Sequence, residues 1–260
     1  MAGNVIAERL GSVGRIVFDQ QDRRNAITAE MWEAIPEVVR RLDEDPDVRV
    51  LVMRGAGERA FVSGADISEF EGNRIGAAAR AYDDRNAEAF EALAGTSKPL
   101  IAAIHGFCVG GGCAIALQAD LRIAADDAVF AIPAARLGLG YGAAGLETLV
   151  RVVGLPAAKE IFLTARRFSA EEALSMGLVN RVYPKAELDV EVERLASQIS
   201  ANAPLTLASA KLALRQIGRA PSDRDTAAVE ASIADCYASR DYAEGVRAFL
   251  EKRKPDFKGE

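Results

Sequence analysis

Two glycine-bearing segments carry the pattern in this chain with the most chemical content. The first is Ala60-Phe-Val-Ser-Gly-Ala-Asp-Ile-Ser-Glu69, where an apolar β run ends at Gly64 and a helix is expected to begin near Asp66. The second is His105-Gly-Phe-Cys-Val-Gly-Gly-Gly-Cys113, which leads into the helical stretch Ala114 to Leu117. Each sends backbone N–H groups out of a strand-to-helix turn, and two such turns side by side can hold a developing oxyanion. Taken singly, either set of glycines is explained by close backbone packing alone.

Other chemistry-bearing patterns are weaker. Gly140-Tyr-Gly-Ala-Ala-Gly145 matches the dinucleotide fingerprint G-x-G-x-x-G, but Pro133 breaks the segment where its strand belongs. The acid at the right distance, Glu160, falls in a helical stretch, so the match is read as a decoy. The chain has no G-x-S-x-G elbow, P-loop, H-E-x-x-H or C-x-x-C, so the common hydrolase and metal readings have no anchor. No metal site and no separate cofactor are expected. The single histidine, His105, lies inside an apolar run and reads as a buried, hydrogen-bonded residue rather than a catalytic base.

Composition narrows the classes further. Of the 260 residues, 49 are alanine and only 16 are aromatic, so much of the apolar half of the chain packs backbones and does no chemistry. The net charge of −6 argues against a general nucleic-acid or anionic-membrane binder. Three cysteines cannot build a disulfide framework and fit a reducing compartment. Glu8 and Arg9 interrupt any secretory signal, and a cytoplasmic location is expected. Leu100 to Leu117 lacks charged residues, yet it holds His105 and four glycines, which suits a buried strand, turn and short helix better than a membrane span.

The elements that must position the glycine turns are legible from periodicity. Val5 to Leu10 and Arg15 to Asp19 read as a hairpin turning at 11–14. From Thr28 to Asp45 the pattern is helical, with Met31, Ile35, Val38, Val39 and Leu42 on one face and Thr28 as cap. Val48 to Met53, Pro99 to Ile104, Leu121 to Ala124 and Leu178 to Val182 are apolar β runs separated by helical stretches, the signature of α/β architecture with parallel strands. After about residue 185 only helices follow, over roughly 187–201, 205–218, 223–239 and 241–253, the last opening on a capping-box-like Asp241-x-x-Glu244. The expected organisation is an α/β core over 1–185 and a helical region over 186–260.

The two glycine turns and their order resemble the enoyl-CoA hydratase/isomerase (crotonase) family. The resemblance spans nearly the whole chain: Asn25-Ala26, Ser63 to Asp66, Lys98-Pro99 to the triple glycine, Asp120 with Ala124, Gly138 to Gly154, Leu163-Thr164 to Val179, and Glu244-Gly245 to Phe257. It implies a spiral of ββα units, a C-terminal all-helical oligomerisation region building trimers or dimers of trimers, and an acyl-CoA thioester as substrate. It also implies that the N–H groups of Ala65 and Gly111 form the oxyanion hole. Ser63, Asp66 and Ile67 fall where the family wraps adenine and pantetheine, with Ala26 in the same coenzyme A contact. Phe249 and Lys252 match positions that reach a neighbour's coenzyme A.

The chain departs from that family at two positions. A typical hydratase places one glutamate directly after the G-G-G-C segment and another about twenty residues later, and together they handle water and the α-carbon proton. Here those positions are Ala114 and Ala134. Alanine has no titratable atom, and losing such assistance costs about 10²–10⁴-fold per group. Decarboxylation of a malonyl-type thioester needs no carboxylate base, and Tyr141 matches the tyrosine of the family's methylmalonyl-CoA decarboxylases. Those enzymes tend to carry histidine where this chain has Ala65. Three readings follow: an enzyme working through a stabilised thioester enolate with Tyr141 as candidate positioning or proton-donating group, a hydratase or lyase recruiting another acid, for instance from Glu69 to Arg85, and a coenzyme A-binding protein without catalysis.

Overall fold

The computed structural model describes residues 3–69 and 77–260. The chain opens with the hairpin β1 (Asn4–Leu10) and β2 (Val13–Asp19), its turn tighter than the sequence suggests because Gly11 takes a left-handed φ of 60°. Helix α1 (Ala29–Asp43) begins as expected: Thr28 Oγ1 accepts the Met31 N–H at 3.2 Å. Its apolar stripe of Met31, Ile35, Val39 and Leu42 is buried, together with Trp32.

Strand pairs and helices then alternate. The pairs are β3 (Val50–Gly55) with β4 (Ala60–Val62), β5 (Leu100–Ile104) with β6 (Phe107–Val109), and β7 (Leu121–Ala125) with β8 (Val129–Ala131). After them come α2 (Ala77–Gly95), α3 (Gly111–Ala116) and α4 (Ala143–Thr164), then β9 (Phe168–Ser169), α5 (Ala170–Ser175) and β10 (Arg181–Tyr183). The first strand of each pair joins a six-stranded sheet of order β1-β2-β3-β5-β7-β10, and the second joins a four-stranded sheet of order β4-β6-β8-β9. Each ββα unit is therefore one turn of a spiral between two sheets.

Glycines make the corners where the chain steps between sheets. A Cβ on Gly55 would lie 2.1 Å from Ala60 O, and one on Gly106 would lie 2.2 Å from Arg59 O. The central strands are apolar on both faces because both faces are covered. Leu51, Met53, Leu100, Ala102 and Ile104 share the larger core with Phe61, Phe130 and Phe168. Val50, Val52, Ile101, Ala103, Ile123 and Ala125 instead meet Leu188, Val192 and Ala196 of α6 (Leu188–Ser200). The uncharged run from Leu100 to Leu117 is strand, glycine corner, strand and short helix, and among the described residues no helix is long and apolar enough to cross a membrane.

Two element boundaries differ from the sequence reading. Leu178 and Val179 are buried but not strand, because both of their N–H groups bond back to Ala173 O at the end of α5. The chain ends in α7 (Pro204–Ile217), α8 (Thr226–Ala238) and α9 (Arg240–Leu250), and α9 is capped by Ser239 Oγ on the Tyr242 N–H at 3.0 Å, not by Asp241. Asp241 is buried and accepts the Lys258 and Gly259 N–H groups, tying down the C-terminal tail. Glu244 is held at a pKa of about 2, first by its hydrogen bonds from Arg253 and then by the Asp256 N–H and Arg247. Lys211 of α7 anchors these helices to the core through Asp120 at 2.8 Å, Thr96 Oγ1 and Lys98 O. Burial pulls its ammonium pKa down, against Asp120.

Candidate active site

Strands β4 and β6 are parallel neighbours, with Ala60 opposite Phe107 and Val62 opposite Cys108. The two chains therefore leave the same sheet edge side by side, one into Gly64-Ala65 and the other into Gly110-Gly111. Gly64 (φ 117°) and Gly110 (φ 53°) make the turns in backbone conformations that a side chain would strain. The peptides are pinned on either side of the turn: Ile27 N–H donates to Gly64 O at 2.8 Å, Asp66 N–H to Ile27 O at 2.9 Å, and Gly110 N–H to Ala131 O at 2.8 Å. Between those anchors, the N–H groups of Ala65 and Gly111 have no acceptor among the described residues.

The two groups are close. A Cβ built on Gly111 would lie 3.7 Å from Ala65 N and 3.3 Å from the Trp32 ring. Helix α3 is only six residues long, so the two directed N–H groups, rather than a large helix dipole, supply the favourable field.

Both turns border a cavity of about 520 Å³. Ala65, Gly111, Tyr141, Ser63 and Ile67 all line it, and Ala114 and Ala134 form part of its wall. Much of the remaining wall is apolar, including Trp32, Phe90, Leu117, Ile132, Leu139, Leu149 and Phe162. Trp32 is fixed by its Nε1–H donating to Tyr82 OH at 2.9 Å and by an edge-on contact with Phe90. Tyr141 stands edge-on to Phe162, ring centroids 4.8 Å apart, which sets the ring whatever its hydroxyl does. Among the described lining residues there is no Lys, Arg or His, and the one carboxylate is Asp83.

The residues expected at coenzyme A are spread over several parts of the structure. Ser63 and Ile67 lie at the cavity, Ser63 Oγ donating to Arg23 O, and Ile67 is exposed. Asp66 is buried outside the cavity lining, where Arg23 and Ser68 bond to it. Burial pushes its pKa up, but hydrogen bonds from Ser68 and Arg23 outweigh that and hold it below the usual carboxylate range. Ala26 is buried beside these residues without lining the cavity. Phe249 near the end of α9 and Lys252 in the turn after it are exposed and do not line the cavity of their own chain.

His105 is also outside the cavity, as a buried structural histidine. A carboxylate only accepts, so His105 Nε2 carries the proton in its 2.9 Å bond to Asp189 Oδ1. Arg54 holds the other Asp189 oxygen at 3.1 Å. The hydrogen bond from His105, then the charge of Arg54, brings Asp189 down to a pKa of about 2 against the opposing effect of burial.

The sequence reading named Glu69 to Arg85 as a source of an acid without reading the helical stripe that α2 turns to the cavity. Asp83, Asn86, Ala87 and Phe90 line the cavity at positions i, i+3, i+4 and i+7, a single helical stripe. Of the segment Glu69 to Arg85, named as a source of a replacement acid, residues 70–76 lie outside the described residues.

The model of the enoyl-CoA hydratase/isomerase family matches residues 8–260. A short-chain-enoyl-CoA hydratase from Clostridium acetobutylicum is 35% identical over 252 residues, 96% of each chain. A carnitinyl-CoA dehydratase from Proteus mirabilis is 36% identical over 257 residues, again 96% of each. The crystal structure of an enoyl-CoA hydratase/carnithine racemase from Magnetospirillum magneticum superposes with a TM-score of 0.92 at 35% identity, covering 98% of this chain and 96% of that one. With this spiral of strand pairs and its two glycine turns, the chain belongs to the enoyl-CoA hydratase/isomerase, or crotonase, family.

Proposed function

We propose that this protein is an acyl-CoA enzyme that holds the thioester carbonyl between the N–H groups of Ala65 and Gly111 and stabilises the enolate formed at the adjacent carbon. The observation that carries this reading is the pair of N–H groups, without an acceptor among the described residues, at the border of a largely apolar cavity. Such donors are worth most where water is excluded and charge develops. Coenzyme A enters only as part of the substrate, which loses no redox equivalents in enolate chemistry.

The enzyme differs from an ordinary hydratase in how protons move. Ala114 and Ala134 put methyl groups where the family's two carboxylates belong, so the usual acid-base pair is missing. Two reactions fit an enolate site of this kind. Decarboxylation of a malonyl-type thioester generates the enolate by losing CO₂, and Tyr141, which lines the cavity, is the candidate to position the substrate or return a proton. Hydration or dehydration with a carboxylate from another element is the second, supported by Asp83 in the same wall and by relatives named hydratase and dehydratase.

The exposed apolar side chains of the C-terminal helices, Tyr237, Val246, Phe249 and Leu250 among them, support assembly into a trimer or a dimer of trimers. That assembly would bring Phe249 and Lys252 to a neighbour's coenzyme A. The free cysteines favour a cytoplasmic location.

Purified protein assayed on crotonyl-CoA and on methylmalonyl-CoA separates the reactions. Turnover of one and not the other assigns the chemistry, and tight coenzyme A binding with no turnover across a panel of acyl groups supports a binding protein instead. A Tyr141→Phe variant with wild-type turnover removes Tyr141 from proton transfer.

A further inference from the structure

We infer that the acyl group this site takes is short and broad, an aromatic ring bearing a hydroxyl, and that Asn86 of α2 reads the hydroxyl. The inference rests on the enolate reading above and names a substrate class for it: coenzyme A thioesters of hydroxyaryl acids.

Size comes first. The cavity measures about 520 Å³, and an apolar cavity of about 150 Å³ already holds benzene. A four-carbon acyl chain is smaller than benzene and leaves much of this wall without contact, which forfeits dispersion attraction. Exposed Ile67 and Leu137 mark the mouth, whereas Trp32, Leu117, Ile132 and Leu149 are at most 7% exposed and close the inner end. A long straight chain therefore meets a stop. Breadth is available, because Ala114 and Ala134 put only methyl groups into the wall.

The wall also suits a ring. Two edge-on aromatic pairs line it: Trp32 with Phe90, centroids 5.4 Å apart at 84°, and Tyr141 with Phe162, 4.8 Å apart at 77°. A further ring adds to such pairs by edge-to-face or offset contact. The Trp32 ring lies 3.3 Å from where a Cβ on Gly111 would stand, so a ring close to a thioester held at Gly111 meets it.

Asn86 supplies the polar contact. Its Oδ1 is buried with no hydrogen-bond partner among the described residues, one helical turn before Phe90 on the same stripe. A buried acceptor left without a donor calls for a water or a ligand group. The Gln118 amide, by contrast, already donates to Ala114 O at 2.9 Å. A phenolic hydroxyl both donates and accepts, so it pairs with whichever end of the Asn86 amide faces it.

The test is calorimetric titration of wild type, Asn86→Ala and Ala134→Leu with saturated, unreactive thioesters: butanoyl-CoA, decanoyl-CoA, 3-phenylpropanoyl-CoA and 3-(4-hydroxyphenyl)propanoyl-CoA. In wild type, 3-phenylpropanoyl-CoA should bind at least about 10-fold tighter than either aliphatic thioester, and the hydroxyl should add about 5-fold. Asn86→Ala should lose the hydroxyl step, and Ala134→Leu should bring the ring thioesters down to its own affinity for butanoyl-CoA. Equal wild-type affinity for butanoyl-CoA and 3-phenylpropanoyl-CoA, or tightest binding of decanoyl-CoA, overturns the assignment of a ring. Equal binding of the two ring thioesters to wild type, the result if a water satisfies Asn86, overturns the role of Asn86, as does a hydroxyl step that survives in Asn86→Ala. Binding of 3-oxobutanoyl-CoA, read by the absorption band of its enolate, reports separately on the Ala65–Gly111 site. A band without a ring preference overturns this inference alone, and no band overturns the enolate reading and the inference with it.

Discussion

Replacing Gly112 by alanine inserts a methyl group into the contact that sets the spacing of the two N–H groups. A Cβ there would stand 2.2 Å from Val62 O and 3.0 Å from Val62 C, so it falls about 1.2 Å short of the 3.4 Å at which ordinary contact begins. Both clashing atoms are backbone, and neither can rotate away. The strain must open the gap between the end of β4 and the start of α3. Ala65 lies three residues beyond Val62 and Gly111 directly precedes the substitution, so the opening moves one N–H relative to the other. Misplacement by about 1 Å typically costs about 100-fold in rate, comparable to losing one oxyanion-hole donor. Overpacking of this kind also costs about 1–3 kcal/mol of stability. The assay is titration with 3-oxobutanoyl-CoA, reading the enolate band, alongside turnover and a thermal melt. Gly95→Ala serves as control, because its nearest contact is Arg215 Nη1 at 3.9 Å, away from the cavity. A Gly112→Ala protein with wild-type enolate binding and wild-type Tm refutes the claim that this packing positions the site.

Restoring carboxylates tests the wall from the other side: Ala114→Glu with Ala134→Glu should raise crotonyl-CoA hydration by about 100-fold or more, and unchanged hydration in a folded double variant contradicts the placement of these alanines at the reacting atoms. Asp189 links stability to acid. Its pKa is lowered from 3.8 to about 2, so its contribution is fully present above about pH 4 and is lost as pH falls towards 2. The shift alone corresponds to roughly 2.5 kcal/mol, but the side chain is 40% exposed and solvent screening reduces this to about 1 kcal/mol. Asp189→Asn should lose about that much in a urea melt at pH 7 and flatten the acid side of the stability curve; an unchanged acid profile contradicts the assignment. Val246→Asp, on the exposed face of α9, should turn the proposed trimer into monomers by analytical ultracentrifugation, and an assembly of unchanged mass locates the interface elsewhere.

The sequence carried the elements whose signals are local. The stripe of α1, its Thr28 cap and the doubly buried strands β3, β5 and β7 followed from spacing and residue type, because 3.6-residue periodicity and short β runs are written within a dozen residues. The two glycine turns that border the cavity were legible because glycines at strand-to-helix turns leave a recognisable trace, whereas the choice of the Ala65 and Gly111 N–H groups came from the family resemblance. The pairing of His105 with Asp189 spans 84 residues and has no local signal, so its partner emerged only from the fold. The last helix illustrates a competing interaction: Asp241 fits the cap pattern, but the tail's Lys258 and Gly259 N–H groups claim its carboxylate and Ser239 takes the cap. The stripe of α2 was hidden because a helix that faces a cavity does not need the apolar face that packing on a core demands. Asp83 and Asn86 sit on that stripe where a core helix would carry leucine.

The most direct test of the central claim is an experimental structure of the protein with bound 3-oxobutanoyl-CoA. The account predicts the thioester oxygen about 2.7–3.1 Å from both Ala65 N and Gly111 N, with the acyl group running into the cavity past Ala114 and Ala134. A thioester oxygen bound away from these two N–H groups, or an acyl group outside that cavity, contradicts it.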